Sequence, residues 1–350
     1  MKYYIIAGEK SGDLHGSNLV KSIKQEDVEV NLRGIGGELM QKEGVELFLH
    51  FHKVNFFGFF DVFRNFYSLY KIFKATEKDI LKFNPDVLIL IDFAGFNLRM
   101  ANFAKKHGIK VFYYISPKIW AWNVGRAHKI KHLVDKMFVI LPFEVPFYKQ
   151  FGYHVEYVGN PIMDAIATFL PNPNFISDNY LHQRPIVALL PGSRPSEVNS
   201  LLDLICALPV FFPNYQFVVA GVSSLPDSYY EKAKEKGLPV VFDQTYDLLT
   251  VAEAAVVASG TATLETGLFK VPQVVVYKVG KFSYIIGKWL IKVRDIALVN
   301  LITDKIIVKT LLQNELTIEN LVFELKKVML GGKARENVLS DYEKLANEIG

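Results

Sequence analysis

Residues 256–265 (VVASGTATLE) carry the chain's clearest chemical signal: a buried strand, a tight turn and a helix with an acid in its opening turns. The turn Ser259-Gly260-Thr261 would direct free backbone N–H groups and a positive helix end toward one point, where an anion binds. Glu265 could accept hydrogen bonds from two adjacent hydroxyls. A turn that binds phosphate and a carboxylate that binds a diol together indicate a nucleotide site. The structural alternative is that Thr261 only caps the helix and Glu265 only favours its N-terminus.

A second turn of the same kind follows the apolar run 186–190. Gly192, Ser193 and Arg194 stand directly after this predicted strand. A guanidinium beside the N–H groups of a turn suits a pyrophosphate leaving group, whose charge grows as its bond breaks. Both turns belong to the C-terminal half, so together they indicate a nucleotide site there.

Asp92 directly follows the apolar run 87–91 and is the best candidate for a general base. Ligands of open α/β sheets bind beyond the carboxyl ends of the strands, where such a carboxylate could accept a proton. The alternative is that Asp92 caps the turn that follows it.

Two further segments of the N-terminal half follow predicted strands. Residues 8–13 (GEKSGD) have glycines that permit a tight turn, but they match neither a P-loop nor a complete dinucleotide fingerprint. Residues 116–122 (SPKIWAW) and Arg126 combine indoles with cations, which suits a sugar ring and a phosphate. His128 and His132 share a helix face, but no third metal ligand is evident nearby.

Short apolar runs that predict strands alternate with amphipathic helical patterns along the whole chain. In the first half these runs are residues 3–7, 28–33, 87–91, 111–115 and 137–141. In the second half they are residues 186–190, 217–220, 240–242, 255–258 and 273–277. This alternation predicts parallel sheets covered by helices on both faces.

The chain of 350 residues exceeds the usual size of a single core. We therefore predict an α/β protein of two Rossmann-like, doubly wound domains. Their predicted limits are 1–165 and 186–334, with a linker at 166–185 and a terminal helix at 335–350 that could pack back on the first domain.

The bulk composition excludes several classes of protein. A formal charge of +4 is too small to indicate nucleic acid without a clustered basic patch. The single cysteine, Cys206, cannot form an internal disulfide and fits a reducing compartment. No apolar run is long enough to span a membrane, and residues 3–7 are too short for a signal peptide. We predict a cytoplasmic protein whose membrane contact is peripheral.

Residues 51–73 hold ten aromatic residues among twenty-three, against 13% in the whole chain. Lys53, Arg64 and Lys71 lie among them. Aromatic and basic residues together are typical of a segment that meets acyl chains and anionic headgroups, and we favour that role. Residues 283–293 show an apolar helical stripe with two lysines off it, for which a core helix is favoured.

A series of short segments spans nearly the whole chain. They are AGEKSGD (7–13), Ile91-Asp92 with Phe96-Asn97, YISPKIWAW (114–122), LPFE (141–144), VGNP with Asp164 (158–164), LLPGSR (189–194) with Glu197, ASGTATLE (258–265) and Leu311-Leu312-Gln313. In these segments and in their order the chain resembles the lipid-A-disaccharide synthases, glycosyltransferases whose two facing Rossmann-like domains form the GT-B architecture.

The resemblance implies transfer of 2,3-diacylglucosamine from its UDP derivative to 2,3-diacylglucosamine 1-phosphate, giving a β-1,6-linked disaccharide and UDP. It implies inversion by direct displacement, with no covalent enzyme intermediate, no cofactor and no metal. By resemblance, Asp92 is the base, Arg194 contacts the pyrophosphate and Glu265 contacts the ribose. The partners implied are the two glycolipid substrates and the anionic surface of the inner membrane, on its cytoplasmic face, with a homodimer left open.

The resemblance and the residue chemistry together define two predicted sets of site residues. The donor set is Gly192, Ser193, Arg194, Ser259, Gly260, Thr261, Glu265 and Gln313. The acceptor and lipid set is Gly8, Glu9, Ser11, Gly12, Asp13, Lys118, Trp120, Trp122, Arg126, Phe56, Phe57, Phe59 and Phe60.

Four residues depart from the family pattern, and two other functions stay open. The departures are Lys10, Gly95, Asn160 and Thr310. A UDP-sugar 2-epimerase shares the architecture but needs further acids and bases at the sugar ring, whereas Glu265 is followed by Thr266-Gly267. The other is a GT-B transferase with a different lipid-linked acceptor.

Overall fold

The protein is described by a computed structural model over residues 1–54, 66–278 and 295–350, the side chains of residues 66–68 and 122 excepted. These residues divide into two compact units, Met1–Pro161 and Ile162–Gly350. Each unit contains one parallel sheet with helices between its strands. The prediction of two doubly wound α/β domains is confirmed.

The sheet of the first unit has seven strands within the described ranges, in the order β3-β2-β1-β4-β5-β6-β7. These strands are β1 (Lys2–Ala7), β2 (Asn31–Gly36), β3 (Glu46–His50), β4 (Val87–Ile91), β5 (Lys110–Tyr114), β6 (Lys136–Val139) and β7 (Glu156–Tyr157). The helices are α1 (Lys10–Glu26), α2 (Glu38–Lys42), α3 (Phe66–Phe83), α4 (Ala94–Lys106), α5 (Ile119–Trp122), α6 (Arg126–Leu133), α7 (Glu144–Lys149) and α8 (Pro161–Ala167), which crosses into the second unit.

The first core lies on both faces of this sheet. Tyr4 and Ile6 of β1 point into one buried cluster, and Ile5 and Ala7 point into the other. All five residues of β4 are buried. A parallel strand covered by helices on both sides is apolar throughout, which is why the run 87–91 was predicted with the limits that the structure gives.

The sheet of the second unit has six strands within the described ranges, in the order β10-β9-β8-β11-β12-β13. These strands are β8 (Ile186–Leu190), β9 (Gln216–Gly221), β10 (Val240–Phe242), β11 (Ala252–Ala258), β12 (Gln273–Tyr277) and β13 (Thr310–Leu312). The helices are α9 (Phe175–Asp178), α10 (Pro195–Ile205), α11 (Glu231–Glu235), α12 (Thr245–Val251), α13 (Ala262–Leu268), α14 (Leu298–Ile302), α15 (Ile318–Val328) and α16 (Arg335–Ile349).

The domain limits differ from those predicted at both ends of the second unit. Residues 166–185 are part of this unit, since Phe175 of α9 is 1% exposed within its core. Helix α16 packs against α13, α14 and α15 of the same unit. Its Tyr342 is buried and accepts a hydrogen bond from Gln273 of β12 at 3.1 Å. The structure therefore assigns α16 to the second unit, whose predicted limit was residue 334.

Two predicted segments lie outside the described residues. Phe56, Phe57, Phe59 and Phe60 belong to one, and residues 283–293 to the other. Along the described ranges, no helix is both long and apolar enough to cross a membrane.

Candidate active site

The strand order of each sheet reverses at one point, and most predicted site residues follow the strands that meet there. In the first unit β1 pairs with β4, with Ala7 opposite Ile91, so Gly8 and Asp92 leave the same edge side by side. In the second unit β8 pairs with β11, with Leu190 opposite Val257. Within each unit, the turns after the two paired strands therefore lie at the same edge of that unit's sheet. Such switch points are where open α/β sheets bind ligands.

Asp92 has a left-handed backbone, with φ 43°. Its N–H donates to the Tyr114 carbonyl of β5 at 3.3 Å. Its own carbonyl accepts from Asn97 Nδ2 at 2.8 Å and from the Tyr113 hydroxyl. The side chain is half-buried. The backbone of the candidate base is therefore held by the helix that follows it, α4, and by the neighbouring strand, β5.

Gly8 is needed for packing against the residue after Asp92. A Cβ at Gly8 would lie 2.3 Å from the ring of Phe93, a distance that ordinary contacts never reach. Phe93 is also left-handed, with φ 49°, and its ring lies 5.8 Å from that of Phe96. Gly8 thus makes room for Phe93, a structural role that sequence reasoning did not assign to it.

Asp13 is buried, and backbone groups occupy its carboxylate. Oδ1 accepts from the N–H groups of Gly37 at 2.7 Å and Met40 at 3.1 Å, and Oδ2 accepts from Leu39 at 3.1 Å. Asp13 therefore caps the N-terminus of α2 from a distance. The structure gives it this role, and contact with an acceptor stays a prediction.

The other predicted residues of this segment differ in exposure. Gly12 lies against β1, where a Cβ would be 3.3 Å from that of Ala7. Glu9 is half-buried and Ser11 is exposed at the start of α1. Solvent thus reaches the polar side chains of Glu9 and Ser11, together with that of Lys10 between them.

Trp120 is packed in the interior and does not present an exposed ring face to solvent. It is 9% exposed, and its ring meets that of Phe143 edge-on at 4.9 Å. Its indole N–H donates to Glu144 Oε1 at 3.2 Å. A contact between Trp120 and a sugar ring stays a prediction, and the side chain of Trp122 lies outside the described part of the structure.

Glu144 is the buried acid that sequence reasoning missed, although its motif LPFE was noted. It is 1% exposed, and Oε2 accepts from the Leu141 N–H at 3.1 Å. Burial raises its pKa to about 7, while hydrogen bonds from Leu141, Trp120 and Ser116 act in the opposite direction. The Ser116 hydroxyl also lies 2.7 Å from that of Tyr148. This network joins the loop after β5 to the loop after β6.

Two cations border this network. Lys118 is exposed immediately before α5, and Arg126 is half-buried at the start of α6. They lie beyond the carboxyl end of β5, and their contact with a ligand phosphate stays a prediction.

In the second unit, Glu197 accepts from the turn that was predicted to bind phosphate. Its Oε2 accepts from the N–H groups of Ser193 at 3.1 Å and Arg194 at 3.3 Å. Gly192 has φ 102°, and a Cβ there would lie 2.3 Å from the same oxygen. Glu197, the third residue of α10, thus engages both N–H groups in this structure, and their donation to a phosphate stays a prediction.

Arg194 offers its side chain to solvent. The guanidinium is 72% exposed, with Nη1 3.4 Å from Glu197 Oε1. An exposed pair of this kind is weak, so the guanidinium can turn toward an anion at small cost.

The turn after β11 has a different arrangement. The Ser259 hydroxyl donates to the Ile296 carbonyl at 2.8 Å, and the Thr263 hydroxyl donates to the Gly260 carbonyl at 2.8 Å. The side chain of Thr261 makes no cap hydrogen bond to α13. The capping alternative for Thr261 is therefore not observed.

Glu265 lies on α13 and is half-buried. The Tyr246 hydroxyl of α12 donates to its Oε1 at 2.9 Å. Burial raises the pKa of Glu265, and the hydrogen bond from Tyr246 acts in the opposite direction. Sequence reasoning missed Tyr246, since it is far from Glu265 along the chain and belongs to no motif.

Gln313 directly follows β13, at the same edge as the turns after β8 and β11, and has φ 47°. Thr310, a departure from the family pattern, is buried and donates to Asp295 Oδ1 at 2.9 Å. No cluster of three or more His, Cys, Asp or Glu side chains that could hold a metal ion occurs among the residues described.

Solved structures with this fold define its class. A UDP-GlcNAc 2-epimerase from Neisseria meningitidis has a TM-score of 0.66 and 11% identity, with 100% of this chain and 96% of that one covered. The glycotransferase of kitacinnamycin has a TM-score of 0.63 and 11% identity, with 99% and 94% covered. The two doubly wound sheets therefore belong to the GT-B class of fold, which glycosyltransferases and epimerases share.

The sequence comparisons identify the family. The family described as lipid-A-disaccharide synthetase matches residues 3–349. The lipid-A-disaccharide synthase of Geobacter metallireducens is 39% identical, with 93% of this chain and 87% of the relative covered. That of Syntrophus aciditrophicus is 37% identical, with 99% and 93% covered. The chain belongs to the lipid-A-disaccharide synthase family.

Membership in this family confirms the predicted activity, a UDP-sugar-dependent glycosyltransferase of lipid A synthesis. The 2-epimerase alternative is not favoured, because the likeness to epimerases is one of fold at 11–14% identity.

Proposed function

We propose that the residues at the two switch points carry the family's reaction in this chain, with Asp92 as the general base. The reaction joins 2,3-diacylglucosamine from its UDP derivative to 2,3-diacylglucosamine 1-phosphate. The observation that carries the proposal is the position of Asp92, at the carboxyl end of the buried strand β4 with its backbone held by three hydrogen bonds.

The proposed chemistry is a single displacement. Asp92 takes the proton of the acceptor's 6-hydroxyl, whose oxygen attacks the anomeric carbon of the donor sugar. The bond between that carbon and the diphosphate oxygen breaks with its electron pair on oxygen, and UDP leaves. Attack opposite the leaving group inverts the anomeric centre and gives the β-linkage. No covalent enzyme intermediate forms.

The second unit is proposed to hold UDP. Arg194 is the exposed cation at the switch point, and it meets the charge that develops on the diphosphate. Glu265 presents a carboxylate oriented by Tyr246, which suits the ribose hydroxyls. Gln313, Ser259 and Gly260 follow strands at the same edge. The Neisseria meningitidis relative in fold was solved with UDP-GlcNAc bound, which supports a UDP-sugar donor.

The first unit is proposed to hold the acceptor. Lys118 and Arg126 supply cations for its 1-phosphate, and Glu9 and Ser11 supply polar contacts beside Asp92. Arg194 meets the charge of the diphosphate in place of a metal ion, so we propose a metal-independent reaction.

Mass spectrometry of the products tests this function directly. The protein is mixed with both substrates in the presence of EDTA, and then with the UDP-sugar alone. We expect a product whose mass equals the summed masses of the two substrates minus the mass of UDP. It should form at the same rate with and without EDTA. Epimerised UDP-sugar formed without acceptor would contradict the transferase; because an epimer has the same mass, proton NMR of the UDP-sugar detects it. Loss of product in EDTA that Mg²⁺ restores would contradict metal independence.

We also propose that the protein attaches peripherally to the cytoplasmic face of the inner membrane. The acyl chains of both substrates support this attachment, since they reside in a bilayer. Co-sedimentation with anionic vesicles tests the attachment, and recovery of all protein in the supernatant would overturn it.

A further inference from the structure

The two residues that follow β4 both have left-handed backbones. Asp92 has φ 43° and Phe93 has φ 49°. Few residues other than glycine adopt this region, and a bulky residue there is a rare exception. Two such residues in succession persist only where the surroundings determine their conformation, and such places cluster at functional sites.

Two buried side chains hold this backbone by hydrogen bonds. Asn97 of α4 donates through Nδ2 to the Asp92 carbonyl at 2.8 Å and to the Ile91 carbonyl at 3.1 Å. Tyr113 of β5 donates its hydroxyl to the same Asp92 carbonyl. Asn97 and Tyr113 are both fully buried. One donor comes from the helix that follows Asp92 and the other from the adjacent strand.

Tyr113, the donor on β5, has a fixed position and a hydroxyl that stays protonated. Tyr113 lies opposite Leu90 in the parallel register between β4 and β5, two residues before Asp92. Burial raises the pKa of Tyr113 well above its ordinary value, and the charge of Asp92 adds to that rise. The phenol therefore stays protonated and remains a donor.

We propose that Asn97 and Tyr113 are positioning residues of the transfer reaction, which clamp the Asp92 carbonyl and so fix the left-handed backbone that aims the Asp92 carboxylate. The inference rests on the proposed function, because it needs Asp92 to be the base. Neither side chain touches the reacting atoms, since both are buried behind the backbone of Asp92. They act through the direction of its Cα–Cβ bond.

Loss of the clamp should reduce turnover and leave binding intact. A freed Asp92-Phe93 backbone relaxes toward ordinary conformations and moves the carboxylate. A displacement of about 1 Å costs on the order of 10² in rate. The affinity for UDP should not change, because the proposed UDP contacts belong to the second unit.

The first experiment compares two Tyr→Phe substitutions in the same unit, each of which removes one hydroxyl group. Tyr113→Phe removes the bond to Asp92, and Tyr153→Phe removes a matched bond from a phenol to the Val134 carbonyl, 3.0 Å long. We expect Tyr113→Phe to lower kcat about tenfold to a hundredfold, with KM within about twofold. Tyr153→Phe should keep kcat while lowering the melting temperature by a similar amount. Equal kcat in both variants would overturn the proposal.

A double-mutant cycle then separates this inference from the proposed function. If Tyr113 acts through Asp92, Tyr113→Phe has no further effect on the residual rate of Asp92→Asn. If the double variant instead loses rate by the product of the two single losses, Tyr113 acts independently of Asp92, and the inference is overturned. Unchanged turnover in Asp92→Asn itself would instead overturn the proposed function. Asn97→Ala, in the same cycle, should behave as Tyr113→Phe does.

Discussion

The Tyr246 hydroxyl donates a hydrogen bond of 2.9 Å to Oε1 of Glu265. The two residues lie on α12 and α13, which precede and follow strand β11. The bond engages one oxygen of the carboxylate and restricts its rotation. Because burial raises the pKa of Glu265, the same bond also favours the ionised form that ribose hydroxyls would donate to.

Tyr246→Phe should weaken UDP binding about threefold to tenfold, as expected for one lost hydrogen bond to a carboxylate. The loss should grow as the pH falls, because without this bond the pKa of Glu265 rises further and less of the carboxylate is ionised. Calorimetry at two pH values measures both effects. Tyr230→Phe removes a phenol that accepts from the Val222 N–H at 3.0 Å in the same unit and is the matched control. Equal UDP affinity in the two variants would exclude Tyr246 from this role.

Arg194→Ala should weaken UDP binding by roughly tenfold to a hundredfold and lower the rate as well, since a charge-assisted contact to the diphosphate is lost. Arg184→Ala is the control, because that exposed guanidinium of the same unit donates to the Pro213 carbonyl at 3.1 Å. Fluorescence or calorimetric titration with UDP gives the affinities. An Arg194→Ala variant that binds UDP as tightly as the control would remove Arg194 from the diphosphate site.

Gly8→Ala should destabilise the first unit by about 1–3 kcal/mol, the usual cost of forcing extra volume into a packed site. The new Cβ would meet the Phe93 ring at 2.3 Å. Since Phe93 adjoins Asp92, turnover should fall too. Gly125→Ala is the control, because its Cβ would meet nothing within 4 Å. Urea unfolding checks the stability, and equal midpoints for the two variants would show that Phe93 shifts without cost.

The interior strands were predictable from the sequence because they are buried on both faces. Strands β4, β8 and β12 have the predicted limits, since an apolar run bounded by turn residues has few other structures open to it, and the edge strand β10 has them too. Strands β3, β7 and β13, which also lie at sheet edges, were not predicted. Strands β3 and β7 are partly exposed, and β13 has only three residues.

The positions of Asp92 and Arg194 at the ends of β4 and β8 could be predicted, because each lies shortly after an apolar run in the sequence. Hydrogen-bond partners that only folding brings together could not be predicted. Tyr246, Tyr113 and Glu144 are ordinary residues in the sequence, and each gains its role from a neighbour many residues away. Glu197 was read as part of a motif, but its capping of the turn at Ser193 depends on a φ of 102° at Gly192 that only the structure shows.

Glu144 should make the stability of the first unit depend on pH. Burial raises its pKa from 4.5 to about 7. The folded chain therefore holds this proton more tightly than the unfolded chain does, so its contribution to stability is fully present below about pH 4.5. It is lost as the pH rises to about 7, by on the order of 3 kcal/mol.

Glu144→Gln should remove this dependence, because the amide does not titrate. Free energies of unfolding in urea, measured at intervals between pH 4.5 and 8, give the slope. Glu156→Gln changes an exposed acid of the same unit and should leave the slope as it is. The interpretation fails if Glu144→Gln keeps the slope of the unchanged protein.

The turnover of Asp92→Asn with both glycolipid substrates tests whether Asp92 is the general base. Asp86→Asn, at the opposite end of β4, is the control, since this exposed carboxylate accepts from the Lys2 N–H at 2.8 Å. We predict that Asp92→Asn lowers kcat by roughly 10²–10⁴, as for a lost general base, with UDP affinity within about twofold of the unchanged protein. Turnover of Asp92→Asn equal to that of Asp86→Asn would exclude Asp92 as the general base.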